Sequence, residues 1–285
     1  MKKRIKDFFK EFMRIIAMPE MRILPGQLAF YFVLAIVPTL SLVSYMASFL
    51  NLSANSIYNF LASAFSKDLA NLLISNDIVS PGSGGIKFLI VLVIAYYISS
   101  NGCNSIILTS DTIYGVESKS FLYRRLKALV MTIILLFLIV FILLVPIFGD
   151  KLVYFITYLD VSQKFTEIFT TVITYLQSPV SWFIIFVIIK LIYTMAPDRK
   201  VESRKVNYGA IFTTVCWVIG TYWYSFYINN LAHYNAYYGA LANLIVLMLW
   251  FYYLAFIFTV GMALNYHKEE EENEKTAALK IVNGE

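Results

Sequence analysis

Six runs of mostly apolar residues, each 17 to 25 long, divide this chain, and they limit its fold more than any other feature. A helix needs about 20 such residues to cross about 30 Å of hydrocarbon, and a spanning segment must satisfy its own backbone polar groups. The expected fold is therefore all-α: a polytopic membrane protein with spans Gln27–Leu50, Ile86–Leu108, Ala128–Phe148, Val180–Ala196, Val206–Ile228 and Ala240–Leu264. The fourth, bounded by Pro179 and Pro197, is the weakest, and the amphipathic stretch Phe165–Leu176 extends it outside the bilayer. Composition agrees: 59% of the residues are hydrophobic and 14% charged, against about 45–50% and about 25% in an average globular domain. That balance excludes a disulfide scaffold and a disordered chain and argues against a soluble enzyme. Cys103 and Cys216 both lie in apolar runs and read as small buried hydrophobes.

Charge sets the expected orientation. Of the 23 Lys and Arg residues, 18 fall in the N-terminal segment, the second and fourth loops and the C-terminal tail. The opposite loops hold only Lys67, Lys151 and Lys164, while Lys87 and Lys190 lie within spans. Positive charge concentrates on the cytoplasmic side, so both termini are expected there. Three regions follow: a basic amphipathic segment at 1–26, a six-helix transmembrane domain at 27–265 and an acidic tail at 266–285.

In the first region Ile5, Phe8, Phe9, Phe12, Ile15 and Ile16 recur at helical spacing between basic residues. That pattern fits a helix lying in the headgroup plane of an anionic leaflet rather than a nucleic-acid arm or a cleaved signal peptide. A second amphipathic helix is expected on the external side, through Ile57, Phe60, Leu61, Ala64, Phe65, Leu69, Leu72 and Leu73, before a Pro81–Gly85 turn.

Polar groups are costly in a bilayer, so their placement carries functional information. Span one aligns Gln27, Tyr31, Pro38, Ser41 and Tyr45 on one helical face, with Pro38 expected to kink it. Span two aligns Tyr97, Asn101, Asn104 and Asp111; span five aligns Thr213, Trp217, Thr221 and Tyr224; span six aligns Gly239, Asn243, Trp250, Gly261 and Asn265. Span three has little beyond Thr132 and is expected at the lipid-facing periphery. Four polar stripes turned inward either glue the bundle or line a hydrated cavity. The candidate path is Tyr31, Pro38, Tyr97, Asn101, Asn104, Asp111, Lys190, Trp217, Tyr224 and Asn243. Lys190 either snorkels to the near interface or serves as a buried cation facing an anionic substrate or Asp111. No catalytic constellation, metal site or cofactor motif is read: the two histidines, His233 and His267, fall on opposite membrane sides, with His233 beside Tyr234 and Tyr238 in an expected aromatic belt.

Three segments carry a resemblance: LAFYFVLAIVPTLSL at Leu28–Leu42, NGCNSIILTSDTIYGVESKSFLYRRLKAL at Asn101–Leu129, and YNAYYGALANLIVLMLWFYYLAFIFTVGMALN at Tyr234–Asn265. They resemble the YihY/BrkB family of bacterial inner-membrane proteins, once labelled ribonuclease BN. The chain departs from that pattern at Asp111, where a small or amide residue is expected. The resemblance implies six transmembrane helices in the bacterial plasma membrane with both termini cytoplasmic. It also implies a transporter or flippase for a lipid or amphipathic envelope component, with a structural or partner-binding membrane protein as the alternative. It implies no nucleic-acid partner, and it makes the ribonuclease label look like a misassignment.

Overall fold

The apolar runs form helices longer than the runs themselves. The structure is a computed structural model that describes residues 12–49, 58, 86–158, 163–230 and 240–283. Its long helices are α1 (Glu20–Phe49), α2 (Ile86–Ile113), α3 (Phe121–Tyr158), α4 (Gln163–Met195), α5 (Asn207–Asn230) and α6 (Ala240–Asn283). No strand occurs among the described residues. At about 1.5 Å per residue, α3 with 38 residues and α6 with 44 outreach the hydrocarbon and project into the flanking phases. The external amphipathic helix, the Pro81–Gly85 turn and the His233 belt lie outside the described residues.

Among the described residues, five helices are long and apolar enough to cross a membrane: Glu20–Val43, Ile90–Ile113, Phe121–Ile142, Gln163–Met195 and Ile245–Ala277. The sixth expected span, α5, has the length at 24 residues. Its threonines and terminal asparagines lower its apolar character. Around Pro179 the weak span and its amphipathic extension are one 33-residue helix. Proline removes one donor, the one that would reach the Tyr175 carbonyl, and a spanning helix tolerates that loss; two residues on, Ser181 Oγ adds a bond to the Gln177 carbonyl at 2.9 Å.

Each helix packs against its sequence neighbours, and α6 returns to α1, so the six form a ring. The ends where α1, α3 and α5 begin and α2, α4 and α6 run out form one face. It carries the Lys- and Arg-rich segments and is called the basic end below. The main core lies toward that end: Leu28 of α1, Ile107 of α2, Ala128 of α3, Tyr193 of α4, Ala210 of α5 and Phe258 of α6 meet there. Residues 12–16 are helical, and Ile15 is buried against Val260, Ala263 and Leu264 of α6. This part of the basic segment docks on the bundle, because its apolar face finds protein to cover it. On α3, Val130, Ile133, Phe137 and Phe141 form an exposed stripe, while Leu136 and Val140 pack on Leu42 and Val43 of α1. That is the peripheral placement its lack of polar residues predicts.

Candidate functional site

The polar stripe of α2 meets two arginines from the first turns of α3. Antiparallel packing sets Tyr97, Asn101 and Asn104 opposite Arg124 and Arg125. The Arg125 guanidinium lies 3.7 Å from the Tyr97 ring centroid. Its Nη1 donates to Asn101 Oδ1 and its Nη2 to the Tyr97 carbonyl, both at 2.9 Å. Arg124 Nε donates to Asn104 Oδ1 at 3.3 Å. Tyr97 is 53% exposed, so this edge faces outward from the ring.

One step further along the stripe, Asp111 is buried in a different setting. α2 ends in a Schellman motif: the Val116 N–H bonds the Asp111 carbonyl at 2.9 Å and the Gly115 N–H the Thr112 carbonyl at 3.3 Å. Gly115 takes φ +60, which glycine adopts without the Cβ clash of other residues. The turn brings Ser118 back to donate to Asp111 Oδ2 at 2.8 Å, while the Asp198 N–H donates to Asp111 Oδ1 at 2.9 Å. Asp198 in turn accepts from the Lys119 N–H at 3.0 Å and pairs with Lys127 Nζ at 2.6 Å. Lys127 also donates to the Ala196 and Pro197 carbonyls just past the end of α4. The Asp198 side chain is fully buried. Burial alone raises its pKa, but the hydrogen bonds and positive charge of Lys127 and Lys119 outweigh this and hold the carboxyl below its usual range. Beside it, Arg199 pairs with Glu269, which Lys205 also reaches, and covers the Tyr114 ring at 4.4 Å. Burial pushes the Tyr114 phenol above the ordinary tyrosine range.

The stripes of spans five and six meet each other. A Cβ on Gly209 would strike the Gly261 carbonyl, and one on Gly261 would strike the Thr213 hydroxyl, so glycine permits the close approach of α5 and α6. Across the seam the Gly209 N–H donates to Asn265 Oδ1 at 2.6 Å. Trp217 Nε1 donates to the Leu254 carbonyl at 3.0 Å, and Tyr253 returns a bond to the Cys216 carbonyl at 2.7 Å. Tyr224 stacks on Trp250 at 4.5 Å. From α4, the fully buried Tyr193 donates to the Phe258 carbonyl and receives the Thr213 hydroxyl, both at 2.7 Å.

Sequence comparison places this geometry in a family. The description Virulence factor BrkB matches residues 20–281. The chain belongs to the BrkB family. Among its relatives, a ribonuclease-like protein of Bacillus subtilis, YfkH, is 28% identical over 93% of this chain and 97% of the relative. A UPF0761 membrane protein of Alteromonas mediterranea is 26% identical over 87% of this chain and 83% of its own. Another, of Idiomarina loihiensis, is 33% identical over 33% of this chain and 35% of the relative. No solved structure matches. The protein is a multi-pass membrane protein of the BrkB family.

In this BrkB-family chain the candidate residues fall into several groups. Tyr97, Asn101 and Asn104 stand together at the α2–α3 edge, and Asp111 joins the basic-end junction. Trp217 and Tyr224 belong to the α5–α6 seam. Tyr31 and Pro38 are half-buried on α1, with Tyr31 edge-on to Phe30 at 5.5 Å. Asn243 lies in α6, its side chain outside the described set. Lys190 is half-buried and ion-pairs with no described residue; the Asp111 carboxylate is bonded by Ser118 and Asp198. Sequence reasoning missed Arg125, Asp198 and Glu269. Arg125 was counted for topology alone, and neither Asp198 in its loop nor Glu269 at the head of the acidic run on α6 gives a sign of the Lys or Arg that folding brings to it. Among the described residues, no group of three His, Cys, Asp or Glu is placed to hold a metal.

Proposed function

We propose that this protein moves an amphipathic envelope component through the bacterial plasma membrane, with its basic end and both termini in the cytoplasm, and that it is not an enzyme. One observation carries the reading. On α2, Ser105, Thr109 and Ser110 are fully buried, as nearly is Tyr114 just past its end, and their hydroxyls have no hydrogen-bond partner among the described residues. Other helical threonines behave differently: Thr112 on α2 itself and Thr132, Thr194, Thr214, Thr221 and Thr259 elsewhere each turn the hydroxyl onto the carbonyl four residues back. An unpartnered buried hydroxyl costs about 1–3 kcal/mol, so a cluster of them at one end of the helix fits a place that meets water or the polar part of a substrate. Reconstitution into vesicles tests this by following a fluorescent lipid between leaflets. Ser105→Ala, Thr109→Val and Ser110→Ala are expected to stop movement while melting stays unchanged. Movement that survives these changes refutes the reading.

A second reading, a structural or partner-binding membrane protein, draws on the α5–α6 seam, where glycine contacts and cross-helix bonds lock two helices together. Function and melting that fall in parallel across the α2 variants would favour it. The ribonuclease-like name of the Bacillus relative does not enter this proposal. Purified protein is expected to show no metal-dependent ribonuclease activity; activity that copurifies and disappears in His267→Ala would contradict this.

A further inference from the structure

We propose that the α2–α3 edge binds an anionic phospholipid, its phosphate held by Arg124 and Arg125 and an acyl chain laid along the exposed face of α2. This deepens the functional reading above and rests on it for the orientation of the basic end. The argument begins with what holds the two arginines. Every partner the structure gives them is neutral: the amide oxygens of Asn101 and Asn104, the Tyr97 carbonyl and the Tyr97 ring. Arg124 also lies 6.0 Å from the Phe121 ring. Neither guanidinium forms an ion pair among the described residues. Amide oxygens and ring faces orient a guanidinium without cancelling its charge. This contrasts with the nearby junction, where Lys127, Arg199 and Lys205 all meet carboxylates.

Arg125 has two of its five N–H groups engaged; its Nε–H is buried, and one hydrogen on each of Nη1 and Nη2 has no partner among the described residues. A guanidinium fixed this way presents a fork suited to phosphate oxygens. A charge needed only for membrane topology has no use for such restraint, because solvated lysine serves equally well.

The surroundings fit a lipid rather than a free anion. From Tyr97 away from the basic end, Ile94, Val93 and Ile90 continue the same α2 face at steps of three, four and seven, and all are exposed. They extend about 10 Å toward the bilayer interior at 1.5 Å per residue. On α3, Leu122 and Leu126 flank Arg125 and are exposed as well. Cationic at the basic end and apolar inward, the edge has the polarity of a lipid of the adjacent leaflet, and basic sites between transmembrane helices bind anionic headgroups on that side.

The test uses the full chain purified in dodecyl maltoside and native mass spectrometry, with phosphatidylglycerol, phosphatidylcholine and inorganic phosphate as separate probes. Wild type is expected to retain phosphatidylglycerol at least tenfold better than phosphatidylcholine, and millimolar inorganic phosphate is expected not to displace it. Arg124→Gln with Arg125→Gln should remove the preference. If that variant fails to fold, Leu122→Glu serves instead: it leaves the Asn101 and Asn104 contacts intact and sets a competing carboxylate three residues from Arg125. Equal retention of the two lipids, a folded variant that keeps the preference, or displacement by phosphate alone overturns the proposal. Lipid movement that shows neither a charge preference nor a dependence on the arginines overturns it while leaving the functional reading standing. Binding without movement does the reverse.

Discussion

The α2–α3 edge and the α5–α6 seam use similar residues, asparagine and large aromatics on helices of comparable length, yet they end in opposite states. At the seam, glycines let the backbones approach, so Trp217 and Tyr253 each reach the other helix's carbonyl and the Gly209 N–H reaches Asn265. At the edge, polar side chains of α2 reach outward to arginines of α3, and Tyr97 stays half exposed. Backbone separation decides whether a polar stripe becomes a lock or a presenting surface. In the lock, partners are backbone groups that cannot move away. In the surface, they are guanidinium groups oriented by amide and ring contacts, with donors to spare.

The largest effect should come from breaking the lock. Gly261→Leu drives a side chain into Thr213, Tyr193 and the Gly209 carbonyl; a cost of about 3 kcal/mol or more is expected, seen as loss of the monodisperse peak in size-exclusion chromatography.

Next comes the junction that joins the two regions. Asp198→Asn leaves the Lys127 ammonium, 16% exposed, without its counter-charge, at a cost of about 3 kcal/mol. The pH response carries the same information. The carboxyl is held lower in the folded protein than its unfolded value of about 3.9, so its contribution is complete above that value. It is lost as pH falls through the folded pKa. Thermal melting between about pH 5 and 2 should therefore fall less steeply in Asp198→Asn than in wild type; identical slopes would show that Asp198 does not carry this term.

A finer contrast pairs Tyr193→Phe with Asn101→Leu. The first strips two buried hydrogen bonds from the lock and should cost about 1–2 kcal/mol. The second removes one half-buried acceptor and should cost about 0.6 kcal/mol, the average for such bonds in a membrane, while abolishing the function proposed for α2. Chemical-denaturation midpoints rank the two, and a reversed order would remove the distinction between lock and surface. Smallest of all is Lys190→Met. Without an ion-pair partner among the described residues, Lys190 is expected to behave as a snorkelling side chain, and the change should shift stability by less than about 0.5 kcal/mol. A large loss of transport at unchanged melting would instead mark it as a cation facing the substrate.

Much of this was readable before folding, for one reason. A bilayer taxes every unsatisfied polar group, so length and apolar content announce spanning helices without reference to neighbours. Boundaries were less legible. The amphipathic stretch Phe165–Leu176 announces an extension of the Val180–Ala196 run, but not that the two join as one unbroken helix through Pro179, because surrounding groups decide whether proline ends a helix. The glycine at 115 was visible as part of Ile-Tyr-Gly-Val, but its role in folding Ser118 back onto Asp111 was not. The stripe Tyr97–Asn101–Asn104–Asp111 lies on one helix, as its spacing implies. That it splits between two neighbourhoods depends on where α3 begins, since the helix covers its first part and a loop covers its last.

The sequence by itself determined that the chain is helical and apolar enough to span a membrane several times, which stretches of each helix are polar, and which ends carry positive charge. These are properties of one segment and its solvent. Tertiary structure alone decided what each polar group meets: a backbone carbonyl for Trp217, a guanidinium for Asn101, a backbone N–H for Asp111 and no described partner for Thr109. Helical periodicity fixes the face a side chain occupies, but the partner on that face comes from another helix, at a separation and register set by packing.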